Sequence, residues 1–403
     1  MKKSMIILCL LSVAGLFAQQ AAQTRYWKPE TSQIGLPVRV FDGNAFVPNL
    51  NLSDFELLEN GVPQRLNALY LMKKGAVERK DGDAEVAPDP FRRFFVLIQA
   101  TDYHPKLKNA LDYLFNEELQ AGDSLEIQTP MRNYSLSAES LATKSHKMLS
   151  TELNEIVRKD IGQGGMAYNS MLRDLKRFTR LISDVRGTSL DDTAGDVADM
   201  GLAHQLQDYK NALVKMETLR QADEAKLIAF ARLLKDADGQ KYVIYIYQRE
   251  FRPEISSQTA NNLMMANADN FQIQGDIQEL FAYYNRPLVL NQKKLNEAFA
   301  AAGVDFNLLY ILKQPERIMG ITMREQSEDV FKTLSQVSAA TGGLVTTTEN
   351  PDSALKEMFQ AADMSYMLYF TPSAESKNAT FKKLLVRVKD KSYRIVTRAG
   401  YFY

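Results

Sequence analysis

The stretch Phe94-Phe95-Val96-Leu97-Ile98, followed by Gln99-Ala100-Thr101-Asp102-Tyr103, decides the fold class of this chain. An unbroken apolar run of this length is typical of a strand that is buried on both faces of a parallel sheet. A helix-like pattern begins at about Lys106, and a parallel strand that leads into a helix places the connecting loop at the binding edge of an open α/β sheet. We therefore expect the side chains of Gln99, Thr101 and Tyr103 to lie at that edge.

Strands and helices alternate along the chain after Phe91, which predicts an α/β domain over residues 91–371 with a parallel central sheet. Further strands are predicted at residues 123–128, 242–247, 306–312, 344–347 and 366–370. Residues 141–157 and 166–182 have helical patterns, and Gly162-Gln163-Gly164-Gly165 between them predicts a break.

The two ends of the chain have the composition of β structure. A small β-sandwich-like module is predicted at residues 25–72, because short apolar runs alternate with turn signals such as Asn60-Gly61. Residues 73–90 are charged and contain several glycines and prolines, which predicts a linker. A C-terminal β-hairpin is predicted at residues 372–403.

Residues 184–238 exceed a minimal α/β unit and form a predicted helical insertion. Its first part is rich in Asp, Gly, Ser and Thr, which predicts a loop, and residues 202–234 follow as one long helix. An apolar seam with coiled-coil spacing runs along this helix through Leu206, Tyr209, Leu213 and Met216. Two interpretations follow: the helix packs on its own domain, or it projects and the seam binds a partner.

The chain of 403 residues carries 49 basic and 49 acidic side chains, so no basic face points to a nucleic acid partner. Lys2-Lys3 precedes an apolar run over residues 5–17, which predicts a cleaved signal peptide at residues 1–18. That run is too short to span a bilayer comfortably, so we expect export to the periplasm, cell envelope or exterior, with no transmembrane span after cleavage. The single cysteine, Cys9, lies inside the leader, and the mature chain would therefore form its cores without disulfides.

Several short motifs, taken in order, resemble those of one protein family. They are Phe55-Glu56-Leu57-Leu58-Glu59-Asn60-Gly61, Thr341-Gly342-Gly343, Tyr366-Met367-Leu368-Tyr369-Phe370-Thr371-Pro372, Val386-Arg387-Val388 and Arg398-Ala399-Gly400-Tyr401. The chain resembles bacterial secreted proteins with a von Willebrand factor A-related domain, and the resemblance covers most of the mature chain outside the helical insertion. It implies a Rossmann-like A-type domain with a metal-ion-dependent adhesion site.

That adhesion site would need an Asp-x-Ser-x-Ser string after the first strand, a threonine on a Gly-Gly-Thr loop, and an aspartate after the central strand. This chain has Gln99, Thr101 and Tyr103 in the first loop, Met166 in the second position and Gln248 in the third. A hard divalent ion needs oxygen ligands and carboxylates that offset its charge. The sequence therefore predicts a degenerate site with no metal, no other cofactor and no catalytic residue.

The function predicted from these features is that of an exported, non-enzymatic interaction protein that binds a protein or a cell-envelope component. The surfaces proposed for the partner are the loop that contains Asp102 and His104, and the seam of the inserted helix. The alternative is a metal-dependent adhesin or an exported enzyme with an unconventional site. That site would need Asp102, His104 and Glu250 to converge at the strand ends.

Overall fold

The structure is a computed structural model, and it describes residues 33–43, 45–83, 87–184, 195–219, 223–286, 290–318, 321–372, 381–389 and 392–402. The predicted signal peptide, the first residues of the predicted β module and most of the predicted loop of the insertion lie outside these described residues. Within them, no helix combines the length and the apolar character that crossing a bilayer requires.

Strands form three substantial sheets and one two-stranded ribbon. They are β1 (Ile34–Asp42), β2 (Ala45–Phe46), β3 (Phe55–Glu59), β4 (Val62–Gln64), β5 (Leu66–Lys73), β6 (Ala76–Gly82), β7 (Arg92–Gln99), β8 (Ser124–Gln128), β9 (Asn133–Leu136), β10 (Gln240–Gln248), β11 (Phe251–Ile255), β12 (Val304–Ile311), β13 (Ile321–Glu325), β14 (Val345–Thr348), β15 (Met364–Phe370), β16 (Phe381–Val388), β17 (Arg394–Thr397) and β18 (Gly400–Phe402).

Along the chain, most α-helices connect successive strands of the central sheet. They are α1 (Leu107–Tyr113), α2 (Ala138–Thr143), α3 (His146–Asp184), α4 (Gly195–Thr218), α5 (Glu224–Lys235), α6 (Ser257–Ala266), α7 (Phe271–Tyr284), α8 (Gln292–Ala302), α9 (Glu328–Thr341) and α10 (Pro351–Ala362). One turn of π-helix, Leu114–Glu118, continues α1.

The central sheet has the order β14-β12-β10-β7-β8-β9, and all its pairs are parallel except that of β9 with β8. Alternate residues of β7 face two separate cores: Phe94 and Ile98 pack with α1, α3 and α10, while Phe95 and Leu97 pack with α5, α8 and α9. Helices therefore cover both faces, and the predicted α/β class with a parallel sheet is confirmed.

A β-sandwich forms from both ends of the chain. One sheet has the order β17-β1-β15-β5-β6 and the other β18-β16-β3-β4, and their facing side chains share one core. The prediction of a self-contained module at residues 25–72 is therefore incomplete. The predicted C-terminal hairpin is wrong: β16 pairs with β3 and β18, whereas β17 pairs with β1, because burial on this core selects those partners.

Two predicted boundaries also change at this sandwich. The strand at residues 364–370 belongs to it and not to the α/β domain. The predicted linker contains β6, which pairs with β5 through a tight turn at Lys74 and Gly75. Both turn residues have positive φ, at 47° and 84°, so the glycine taken as a linker signal instead serves a hairpin.

The second half of α3 forms a helical lobe with α4, α6 and α7, which share one apolar core. The predicted helix over residues 202–234 is in fact two helices. Asp223 caps α5 by accepting hydrogen bonds from the backbone N–H groups of Ala225 and Lys226, which starts a new helix there. Because α5 packs on the central sheet, the helical lobe differs from the helical insertion that the sequence predicted at residues 184–238.

A buried ionic cluster lies at the start of β7, close to the sandwich. The fully buried Arg92 guanidinium lies 2.7 Å from a carboxylate oxygen of Glu118 and 2.7 Å from one of Asp123, and 3.8 Å from Asp363. Burial and the nearby Asp363 charge raise the pKa of Glu118 to about 7. The Glu118 carboxyl at this end of the sheet therefore titrates near neutral pH.

Candidate functional site

The loops that follow β7, β10 and β12 meet at the carboxyl edge of the central sheet, where the sequence predicted the site. Gln248 ends β10, and its side-chain oxygen accepts hydrogen bonds from Thr101 N at 3.1 Å, Thr101 Oγ1 at 3.2 Å and Asp102 N at 3.0 Å. Its amide nitrogen donates to the Asp102 carbonyl at 3.3 Å. One neutral side chain thus holds Thr101 and the backbone of Asp102 in the first loop.

The carboxylate of Asp102 has two partners of its own. Asn169 on α3 donates to one oxygen at 3.2 Å and also to the Thr101 carbonyl at 3.1 Å. The Lys313 ammonium, just after β12, forms an ion pair with the other oxygen. The two charged side chains are 42% and 39% exposed, so this pair lies at the surface of the edge.

Helix α3 passes directly under the first loop, and its glycines permit the approach. A Cβ on Gly165 would lie 2.0 Å from the Thr101 carbonyl oxygen, and one on Gly164 would lie 2.5 Å from the side chain of Pro130. The predicted helix break at these glycines is therefore wrong: they are contact points within a continuous helix. Met166 is also not a loop residue, because it lies on α3 with its side chain 64% exposed.

The remaining predicted positions in the first loop have structural partners. Gln99 ends β7 opposite Tyr247 in the sheet, and Tyr103 packs against the apolar core, where burial raises its pKa. His104 Nδ1 accepts a hydrogen bond from the Lys106 backbone N–H at 3.3 Å, and partial burial, assisted by the charge of Lys106, lowers the pKa of His104 although the Glu349 backbone opposes the shift.

The three residues of the alternative site lie in different settings. Asp102 contacts Asn169 and Lys313, and His104 faces the loop that contains Glu349. Glu250 is buried, its N–H donates to Ser327 Oγ at 3.0 Å, and its carbonyl accepts from the backbone of Gln326. Glu250 and Lys313 do line one small cleft with Arg249. His104 does not line that cleft, so the predicted convergence of the three side chains is wrong.

These residues do not fit a divalent cation. The Gln248 oxygen already accepts three hydrogen bonds, and both oxygens of Asp102 have donors, one of them the Lys313 ammonium. A divalent ion would have to displace the Lys313 ammonium and gain only one carboxylate. Across the described part of the chain, no group of three His, Cys, Asp or Glu side chains is arranged to hold a metal.

The apolar seam of α4 is an internal packing surface. The side chains of the predicted partner-binding residues are at most 1% exposed in the core of the helical lobe; these residues are Leu206, Tyr209, Leu213 and Met216. The Tyr209 hydroxyl donates to the Pro253 carbonyl at 2.7 Å and accepts from Tyr284. The seam therefore supports the interpretation that the helix packs on its own domain, and its prediction as a partner surface is wrong.

Sequence reasoning missed the two side chains that bind Asp102. Lys313 follows a predicted parallel strand, so the same argument that placed Gln248 at the carboxyl edge also places Lys313 there. Asn169 has no comparable signal, because its position depends on α3 running unbroken past Gly165.

No known family profile matches this chain, and no curated protein matches its sequence significantly. Among solved structures, the human COPII-coat protein Sec24c is similar at a TM-score of 0.30 and 10% sequence identity. The similarity covers 77% of this chain and 43% of the Sec24c chain. The chain thus spans less than half of that structure, and a similarity at this level assigns neither a fold family nor a function.

Proposed function

We propose that this chain is an exported, non-enzymatic interaction protein whose carboxyl edge binds a protein or a cell-envelope component without a divalent ion. The observation that carries the proposal is the set of contacts at Asp102: Gln248 holds its backbone, and Lys313 neutralises its carboxylate. The ammonium of Lys313, which is part of the chain, thus balances the charge of Asp102 that a bound metal ion would otherwise balance.

The strand order supports a Rossmann-like von Willebrand A-type domain as the basis of this protein. Numbered along the chain, the strands of the central sheet lie in the order 6-5-4-1-2-3, which is the doubly wound arrangement read from its other side. Folds of this kind bind ligands outside the carboxyl ends of their strands. The edge that contains Gln248 is therefore the first place to look for a partner.

The surface around this edge has features suited to protein contact. Met166 is 64% exposed and Met131 is 49% exposed, and Gly164 lies between the segments that carry them. Methionine side chains adapt to many partner shapes because they are unbranched and polarizable. The half-exposed pair of Asp102 and Lys313 adds polar groups at the same carboxyl edge.

Calorimetric titration tests the metal-free part of the proposal. We expect no saturable binding of Mg²⁺, Mn²⁺ or Ca²⁺ at micromolar concentrations, since Lys313 already neutralises Asp102. Micromolar binding that disappears in Asp102→Ala would contradict the proposal.

Site-specific photo-crosslinking in envelope extracts tests the interaction surface. A photoreactive residue replaces Met166 in one variant and Met148 in a control, since both lie on α3 and are at least 64% exposed. We expect a discrete adduct from position 166 alone, unchanged by a metal chelator. Adducts that need added Mg²⁺, or that form equally from both positions, would refute the proposed surface.

Cell fractionation, with the mature N-terminus mapped near residue 18, tests export.

A further inference from the structure

A second cleft lies at the opposite, amino edge of the central sheet, where the sheet meets the β-sandwich. Strands β1 and β15 of the sandwich form one wall, and the first residues of β10 together with Gly303 and Asp305 form the other. The cleft has a volume of about 540 Å³ and opens to solvent. This space can hold a small organic molecule, and the interface between two domains is a common place for such a site.

Two glycines leave space beside the side chains of this cleft. A Cβ on Gly35 would come within 3.3 Å of Met367 Sδ and of the Tyr369 ring. Gly303 ends α8 in the left-handed region at φ 60°, and a Cβ there would lie 3.3 Å from Arg398 Nη1. Larger residues at either position would crowd the aromatic wall or the guanidinium.

Acidic and basic side chains line the cleft in equal number, but Arg398 has no carboxylate of the described residues within ion-pair distance. Asp305 lies 3.1 Å from the Arg39 guanidinium, which therefore balances its charge. Arg398 donates one hydrogen bond to the Gly35 carbonyl at 2.7 Å, but its buried Nε lacks an acceptor and no carboxylate of the described residues forms an ion pair with it. Burial lowers the pKa of Arg398 to about 10, although the nearby charge of Asp305 acts in the opposite direction.

We infer that the cleft at the amino edge binds a small organic acid, with its carboxylate on Arg398 and its apolar body against Met367 and Tyr369. A guanidinium offers several donors in a plane that matches a carboxylate, and it remains charged at neutral pH. The thioether and the tyrosine ring supply an apolar wall of the kind that small-molecule sites use beside a few polar groups. The inference is independent of the proposed partner surface, which lies at the other edge of the sheet.

Titration of the full chain with matched probes tests this inference by calorimetry and by the shift of the thermal unfolding midpoint. Benzoate is the probe, benzylammonium has the same ring with the opposite charge, and inorganic phosphate has the charge without the apolar body. We expect saturable benzoate binding by about 10 mM, the range that so small a ligand allows, and much weaker binding of the other two compounds. Benzylammonium or phosphate binding as tight as that of benzoate would overturn the inference, as would absence of saturable benzoate binding.

Substitution of the guanidinium gives a second, independent test. We expect Arg398→Met to weaken benzoate binding at least about tenfold, since the ionic contact is lost, and Arg398→Lys to weaken it less. Arg387→Met is the control, because Arg387 is exposed on β16 and lies outside the cleft. Unchanged benzoate affinity in a folded Arg398→Met would overturn the inference. If that variant does not fold, Arg398→Lys and the comparison of probes on the natural chain decide the question.

Discussion

The two edges of the central sheet differ in how they handle polar groups. At the carboxyl edge, Gln248, Asn169 and Lys313 pair with the loop that contains Asp102, and the ion pair of Asp102 with Lys313 is half exposed. At the amino edge, Arg92 lies fully buried in a cluster of carboxylates, and the buried Nε of Arg398 lacks a hydrogen-bond acceptor. The comparison teaches that the edge expected to be chemically active pairs the charge of Asp102 at the surface, while the other edge buries the charge of Arg92 among carboxylates.

Among the variants proposed for this comparison, Gly165→Val at the carboxyl edge should lower stability the most. A side chain there would collide with the Thr101 carbonyl, since even a Cβ would lie 2.0 Å away. We expect the free energy of unfolding to fall by roughly 3 kcal/mol, as in overpacked cores, measured by chemical denaturation.

Gly162→Ala is the matched control on the same helix, because a Cβ there meets nothing within 4 Å. It should leave stability unchanged or raise it by up to about 1 kcal/mol, as alanine favours a helix over glycine. Equal destabilisation by both substitutions would show that helix propensity, and not the contact with Thr101, determines the effect.

Gln248→Ala should have the second largest effect. The backbone N–H groups of Thr101 and Asp102 would lose their shared acceptor, and unsatisfied donors at this partly buried site would lower stability by roughly 2 kcal/mol. Gln314→Ala serves as the control, because its hydrogen bond to Glu349 is exposed and should change stability by less than about 0.5 kcal/mol. A similar small effect of both variants would mean that the loop does not depend on the Gln248 amide.

Glu118→Gln tests the amino edge through the pH dependence of stability. The folded-state pKa of Glu118 is raised from 4.5 to about 7, so the folded state binds its proton more tightly than the unfolded chain does. This contribution to stability is therefore present at low pH and is lost as pH rises from about 4.5 to about 7.

The free energy of unfolding of Glu118→Gln should not show that loss. The difference between the variant and the natural chain should therefore rise in favour of the variant by roughly 1–2 kcal/mol between pH 4.5 and pH 7. Denaturation at several pH values measures the difference. Glu117→Gln is the control, since Glu117 is the exposed neighbour on the same turn. The same pH dependence in all three proteins would contradict the assignment to Glu118.

Lys313→Met should have the smallest effect on stability, under about 1 kcal/mol, because its ion pair with Asp102 is half exposed. The expected loss should shrink further as salt is added. A loss of several kcal/mol, or one that salt does not reduce, would show that the ammonium acts as a buried structural charge.

The sequence predicted the central strands well because their apolar runs identify them without any long-range information. β7 and β10 are examples, since Phe94–Ile98 and Tyr242–Tyr247 are unbroken runs of aliphatic and aromatic residues with polar residues at both ends. The prediction of Gln248 at the carboxyl edge followed from the same logic. Lys313 follows β12 in the same way, so the same logic places it at that edge.

The errors arose where distant contacts override a local signal. Gly164 and Gly165 are poor helix formers, yet close packing against Pro130 and Thr101 makes them necessary inside α3. The C-terminal strands look like a local hairpin, but the core offered by β1 and β3 separates them. Neither outcome can be obtained from residues within a short window.

The pairing of β1 with β15 has a consequence for the order in which this protein can be made. Val38 lies opposite Tyr366, so an amino-terminal strand must wait for a partner that the ribosome adds more than 300 residues later. Until then, β1 and β5 have an open edge that invites pairing with other chains. The strands of the α/β domain need no such delay, and contacts so distant in sequence slow folding. We therefore expect the sandwich to close last, which makes chains interrupted before β15 the ones most prone to aggregate.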